Sequence, residues 1–182
     1  MKMWPNTEPW LKNPGKETEQ RREMVEIGQV AIIAAFIVTV YSAVVGFSGG
    51  ILNGVDLVKS ARWGFYSIPF LLIVSTIALI YAFVSSDFSV IYVAENSNLA
   101  MPRAYAWVAF YSGNAGSLLY IAAAFAIMSS LANKVISKKL PYTAPYAMGV
   151  MALILLFFIG VMLFLANPLE RSMEIPLDGQ GI

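Results

Sequence analysis

The side chains able to hydrogen-bond or carry charge fall in three short clusters. The first is Asp87, Ser89, Tyr92, Glu95 and Asn96, inside YAFVSSDFSVIYVAENSN (Tyr81–Asn98). The second is Ser112, Asn114 and Ser117, set among glycines and alanines, and the third is Glu170–Arg171, just after Asn167–Pro168. None of these is a nucleophile paired with a base. The chain has no histidine and no cysteine. It therefore lacks the usual general base near neutral pH, the commonest haem, zinc and copper ligand, any disulfide and any thiolate metal site. Carboxylates, amides and a phenol in this arrangement suit recognition better than catalysis. The expectation is no catalytic, cofactor-binding or metal site in this chain, whether or not it forms part of an enzyme. An assembly surface of Asp87, Ser89, Tyr92, Glu95, Asn96, Asn114, Glu170 and Arg171 is expected instead. Asp87 lies just past an apolar run, where its carboxylate could cap the following turn.

The elements that must position these residues are dictated by lipid. Of 182 residues, 58% are hydrophobic and 13% charged, about half the charged fraction of a soluble domain. Ile27–Val55, Trp63–Ser86, Ala104–Asn133 and Leu140–Leu169 contain no Asp, Glu, Lys or Arg. Each exceeds the roughly 20 residues that cross a bilayer core. The fold class is all-α integral membrane, with four transmembrane helices and an N-terminal soluble arm. The first run is longer than a signal peptide's apolar region and follows a polar stretch, so it is expected as a span. The organisation expected is an arm over 1–25, a four-helix membrane module over 26–170 and an external tail over 171–182. Trp4 and Trp10 could anchor the arm on a partner, and Lys16–Glu26 reads as a helical lead-in.

Asn114 lies within the third apolar run. An unpaired amide in hydrocarbon is costly, so Asn114 should face protein. Gly46, Gly50 and Gly54 form a smooth strip for close helix approach. Pro168 should stop the last helix. Lysine and arginine gather between spans one and two (Lys59, Arg62) and between three and four (Lys134, Lys138, Lys139). The positive-inside rule then puts both termini and Tyr81–Asn98 outside a bacterial inner membrane. A net charge of +1 with no basic tract gives no case for nucleic acid.

Four stretches, in order, resemble the CcmF family of cytochrome c-type biogenesis proteins. They are Glu26-Ile27-Gly28, the Ser86-Asp87-Phe88-Ser89-Val90 loop with Tyr92-Val93-Ala94, the Gly-x-x-Gly-Ser-Leu-Leu element (Gly113–Leu119), and Asn167–Arg171 with Asp178-Gly179-Gln180-Gly181. Tyr111–Ser112 stands where that family often has Trp-Gly, and Asn114–Ala115 fills a variable pair. The family continues past this point into segments bearing its haem-ligating histidines, and no residue of this sequence matches one. The resemblance implies a role in attaching haem to apocytochrome c outside the membrane. It implies the N-terminal four-helix portion, scaffolding a haem-bearing partner segment without binding haem itself. The alternative is a non-catalytic structural subunit, derived from that family, of a larger respiratory or photosynthetic membrane complex. Expected partners are membrane lipids, other integral membrane subunits or the remainder of a CcmF-like protein, and apocytochrome c.

Overall fold

The computed structural model describes residues 14–98 and 105–172. Six helices follow one another: α1 (Pro14–Ile51), α2 (Val55–Val84), α3 (Ile91–Asn96), α4 (Ala106–Ser112), α5 (Asn114–Lys139) and α6 (Ala144–Phe164). Four of them, α1, α2, α5 and α6, are long and apolar enough to cross a membrane. The chain is an integral membrane protein, and its described residues form four antiparallel spans. Every backbone hydrogen bond inside such a helix is made within the helix, which is what a lipid solvent demands.

The spans form a closed ring. α1 packs along α2 and α6, and α5 completes the circuit by packing on α6 and α2. Small residues at the contacts, among them Ala35, Ala61, Ala82, Ala122, Ala126 and Ala152, let the axes approach. Phe65, Ile68, Leu72, Leu119, Leu155 and Ile159 fill the centre. Val30, Ile37, Phe70, Ile77, Met128 and Phe157 point outward, giving the bundle an apolar exterior matched to acyl chains. Part of the expected glycine strip lies on an intramolecular seam. A methyl at Gly46 would come within 3.0 Å of Met148 Cε, and one at Gly50 within 3.1 Å of the Tyr146 ring. Both glycines let α1 touch α6. Gly54 instead precedes α2, as its N-cap.

The tight reversals have local causes. Asn53 takes φ +53° after α1 and Ser86 takes φ +51° after α2. The amide after each reaches back five residues, Gly54 to the Gly49 carbonyl at 3.0 Å and Asp87 to the Ala82 carbonyl at 2.9 Å. Carbonyls left over at both helix ends are thereby satisfied.

Boundaries shift from the sequence reading in three places. α1 runs unbroken from Pro14, so the helical lead-in and the first span are one element across residues 25 and 26. The third run is not one span: it divides at Gly113, and α5 continues to Lys139. The fourth span stops at Phe164, ahead of Pro168. Trp4 and Trp10 of the arm, and the tail from residue 173, lie outside the described residues.

Candidate functional site

At the end of the bundle holding the start of α1 and the end of α6, the polar clusters meet. The chain leaves α2 through the Ser86 turn, and Asp87 then fixes the next residues. Its Oδ1 accepts the Ser89 backbone N–H at 3.2 Å and the Ser89 hydroxyl at 2.6 Å, capping the turn as its position suggested. Val90 next pairs with Arg171 in an isolated antiparallel bridge. Ile91 N–H donates to the Glu170 carbonyl and Ser172 N–H to the Ser89 carbonyl, each at 2.9 Å. Two stretches distant in sequence are thus joined backbone to backbone.

The second junction is built around one phenol. α3 turns Tyr92 inward, only 6% exposed, with its ring edge-on to Phe83 at 5.6 Å. Gly113 is extended between α4 and α5, at φ −98° and ψ 169°, so the helical ladder is interrupted there. The interruption leaves a carbonyl at the end of α4 and amides at the start of α5 without helical partners. Gly113, the N-cap, has no side chain to supply the missing acceptor. The Tyr92 hydroxyl takes that role from another segment. It donates to the Phe110 carbonyl at 3.0 Å and accepts from Gly113 N–H at 3.1 Å. Burial pushes the phenol above the ordinary tyrosine pKa, while the backbone amides of Gly116 and Gly113 pull it back.

This junction explains the paired glycines. A Cβ on Gly113 would lie 2.7 Å from the Tyr92 ring, and one on Gly116 would collide with the Phe110 backbone oxygen. Neither position has room for a side chain.

The third junction closes the ring. Asn167 Oδ1 accepts the Leu169 N–H at 3.1 Å, folding the chain back after α6. Leu169 is buried and sits over Gly28, where a Cβ would be 2.7 Å from its Cδ1 and 2.6 Å from Ala78 Cβ. Two residues along, Arg171 Nη1 meets Glu26 Oε1 at 3.1 Å. Arg21 Nη1 adds a bond to the Ser85 carbonyl at 2.7 Å. The Glu-Ile-Gly stretch is therefore the seat for the Asn-Pro-Leu-Glu-Arg stretch.

Between these junctions lies a cleft of about 330 Å³, lined by Tyr92, Glu95, Asn96, Asn114, Asn167 and Glu170 among others. Five residues expected on an assembly surface share it: Tyr92, Glu95, Asn96, Asn114 and Glu170. Asp87 and Ser89 lie in an adjoining hollow with Arg21 and Arg22. Arg171 joins the bridge to α1, and its Nε and Nη2 are buried with no partner among the described residues. Asn114 is exposed, not turned into protein, because it opens α5 at the bundle's end instead of lying mid-span. Tyr92 and Asp87 are buried, so their contribution to any surface is to hold its shape.

Sequence reasoning missed the break at Gly113 and the pairing of Gly28 with Leu169. The two glycines three apart carried the signal for the first. It also missed Asn133, fully buried at the other end. There Asn133 accepts from Tyr66 Oη and Ser137 Oγ and donates to the Ala144 carbonyl, at 3.3–3.4 Å.

The commonest haem donors are missing from this sequence. The sequence holds no histidine or cysteine. Met148 and Met162 are packed in the core, and the Tyr92 hydroxyl is committed to backbone. No group of three or more acidic ligands gathers among the described residues.

No protein-family model matches the chain. It is 35% identical over 162 residues to the cytochrome c-type biogenesis protein CcmF of Pseudomonas fluorescens, covering 86% of this chain and 24% of that protein. To the CcmF of Haemophilus influenzae it is 31% identical over 161 residues, covering 87% and 25%. A solved structure named cytochrome c heme lyase CcmF superposes with a TM-score of 0.71 over 81% of this chain and 25% of that one. At 23% identity that superposition speaks to the fold alone. The chain spans about a quarter of the length of the curated relatives it matches. With the stretches that carry the resemblance forming one packed end of the bundle, this chain is CcmF-like, similar to the N-terminal portion of those cytochrome c-type biogenesis proteins.

Proposed function

We propose that the chain acts as the N-terminal membrane module of a CcmF-like haem-attachment assembly, holding a haem-bearing segment and leaving haem ligation to it. One observation carries this reading. The stretches shared with the family interlock through Glu26–Arg171, Gly28–Leu169 and Tyr92–Gly113, around a cleft. Residues that merely filled a membrane would not need such joints. Glu95 and Glu170 give the cleft an acidic lip, and Asn96, Asn114 and Asn167 supply amides. A partner segment presenting cationic or amide donors fits that lining. Lipid surrounds the outer faces, and apocytochrome c belongs to the partner's side of the assembly. In this reading the cleft lies outside a bacterial inner membrane, together with both termini, because the two short connections at the opposite end and the helix ends beside them carry Lys59, Arg62, Lys134, Lys138 and Lys139, which outweigh Arg21 and Arg22 at the start of α1.

Photo-crosslinking tests the reading in native membranes. A benzoyl-phenylalanine at Glu95 is expected to capture a membrane polypeptide carrying haem. Capture of a respiratory or photosynthetic subunit without haem would favour the structural-subunit alternative. Asn114→Leu should reduce recovery of the partner more than insertion into the membrane, and unchanged recovery would count against the cleft. The cysteine-free chain also allows a topology check, with a single cysteine at Glu95 or at Lys138. An impermeant maleimide added outside should label the first and not the second.

A further inference from the structure

At the opposite end, beside the α1–α2 turn, a groove of about 410 Å³ runs between Gly49–Val58 and the start of α6. Val55, Val58, Pro141 and Pro145 make its walls apolar, and Lys59 and Arg62 stand at its edge. A second hollow of about 240 Å³ lies on the other side of the same two cations, bounded by Trp63 and Tyr66. Lys59 and Arg62 thus form a ridge between two apolar recesses.

The cations are available. Lys59 reaches only Asp56, at 3.8 Å between two exposed side chains, and water screens such a pair. Arg62 makes no ion pair among the described residues. Lys134, Lys138 and Lys139 lie toward the same end, at the close of α5. α2 and α6 both begin here without a side-chain cap, adding the partial positive charge of their first amides. Trp63 is 78% exposed, and Phe70 continues its apolar surface along α2 into the span.

We propose that this ridge binds the phosphate of an anionic phospholipid, with the acyl chains lying in the recesses on either side. Charge alone would serve a free anion. The paired apolar recesses and the exposed Trp63 beside them are what a diacyl lipid needs and an inorganic ion does not.

Native mass spectrometry of the full chain in detergent provides the test, with phosphatidylglycerol and phosphatidylcholine of identical acyl chains as probes. Phosphatidylglycerol should be retained on the order of tenfold more than phosphatidylcholine, as two interfacial cations imply. The double variant Lys59→Gln/Arg62→Gln should bring the two lipids close to parity, while Lys138→Gln/Lys139→Gln keeps the preference. Equal retention of both lipids by the unaltered chain would overturn the proposal. So would equal loss in both double variants, which would mark diffuse charge, or displacement of the lipid by millimolar inorganic phosphate. Fluorescence in nanodiscs covers the case of a variant that fails to fold. Brominated phosphatidylglycerol should quench the signal that Trp63→Phe removes more strongly than brominated phosphatidylcholine does, and no excess quenching would overturn the proposal by itself.

Discussion

The α1–α2 turn and the α4–α5 break, at opposite ends of the bundle, solve the same problem by different means. Where spans turn around, helix ends leave backbone groups that hydrocarbon will not satisfy. At the end holding Lys59 and Arg62, α1 and α2 are joined by the three residues Leu52–Gly54, and the amide of Gly54 closes the turn onto Gly49. At the cleft end, α4 and α5 are mended by Tyr92, a side chain 18 residues before the Phe110 carbonyl it serves. A local solution tolerates neighbours of many kinds. A remote one depends on the identity of every participant, and the stretches that resemble the CcmF family in sequence lie at the cleft end.

That contrast can be broken most forcibly at Gly116. Gly116→Val places carbon against the Phe110 oxygen, backbone that has nowhere to go, and overpacking of this kind costs about 3 kcal/mol or more. Thermal unfolding in detergent should show loss of the cooperative transition. Survival of a wild-type transition would mean the break is not rigid.

Tyr92→Phe comes next. It keeps the ring on Phe83 but strips the Phe110 carbonyl and the Gly113 amide of their partner, a loss of about 1–3 kcal/mol. Alkaline pH probes the same atom. A phenol whose folded pKa is raised contributes its full stability below the unfolded value near 10. Above that pH the unfolded chain ionises first, and stability falls until the folded group also titrates. Wild type should therefore lose stability more steeply than Tyr92→Phe above pH 10, by up to about 1.4 kcal/mol per pH unit. Parallel slopes would show that Tyr92 is not shielded.

The smallest effect is expected at the other end, with Asn133→Leu. Its three hydrogen bonds are long, at 3.3–3.4 Å, and polar contacts between membrane helices average about 0.6 kcal/mol. Chemical unfolding should rank it below Tyr92→Phe. The reverse order would undo the contrast between the two ends.

The four spans were legible because lipid allows only apolar helices of sufficient length, and uncharged runs report that directly. Their limits were less so. Hydropathy marks where lipid ends, whereas the hydrogen-bond ladder continues through Pro14–Glu26 and through Lys134–Lys139, where charged residues reach water. The division at Gly113 left no trace in charge, since Ser112, Gly113 and Asn114 are all neutral, and the short polar dip they make reads equally as an amide buried within a span. An uncharged run therefore puts Asn114 inside a span, although it begins one. Gathering of Glu95 and Glu170 at one end followed from topology alone. The seating of Leu169 on Gly28 did not, because a glycine records the absence of a side chain and not the residue that uses the space.

That seat also sets an order of events. Gly28 and Ala78 are in place once α1 and α2 have been synthesised, but the leucine that covers them is made only after α6. The slot between the first two helices stays open until the chain has been made through Leu169. Closure of the ring is then a long-range step, sensitive to anything that occupies the slot beforehand.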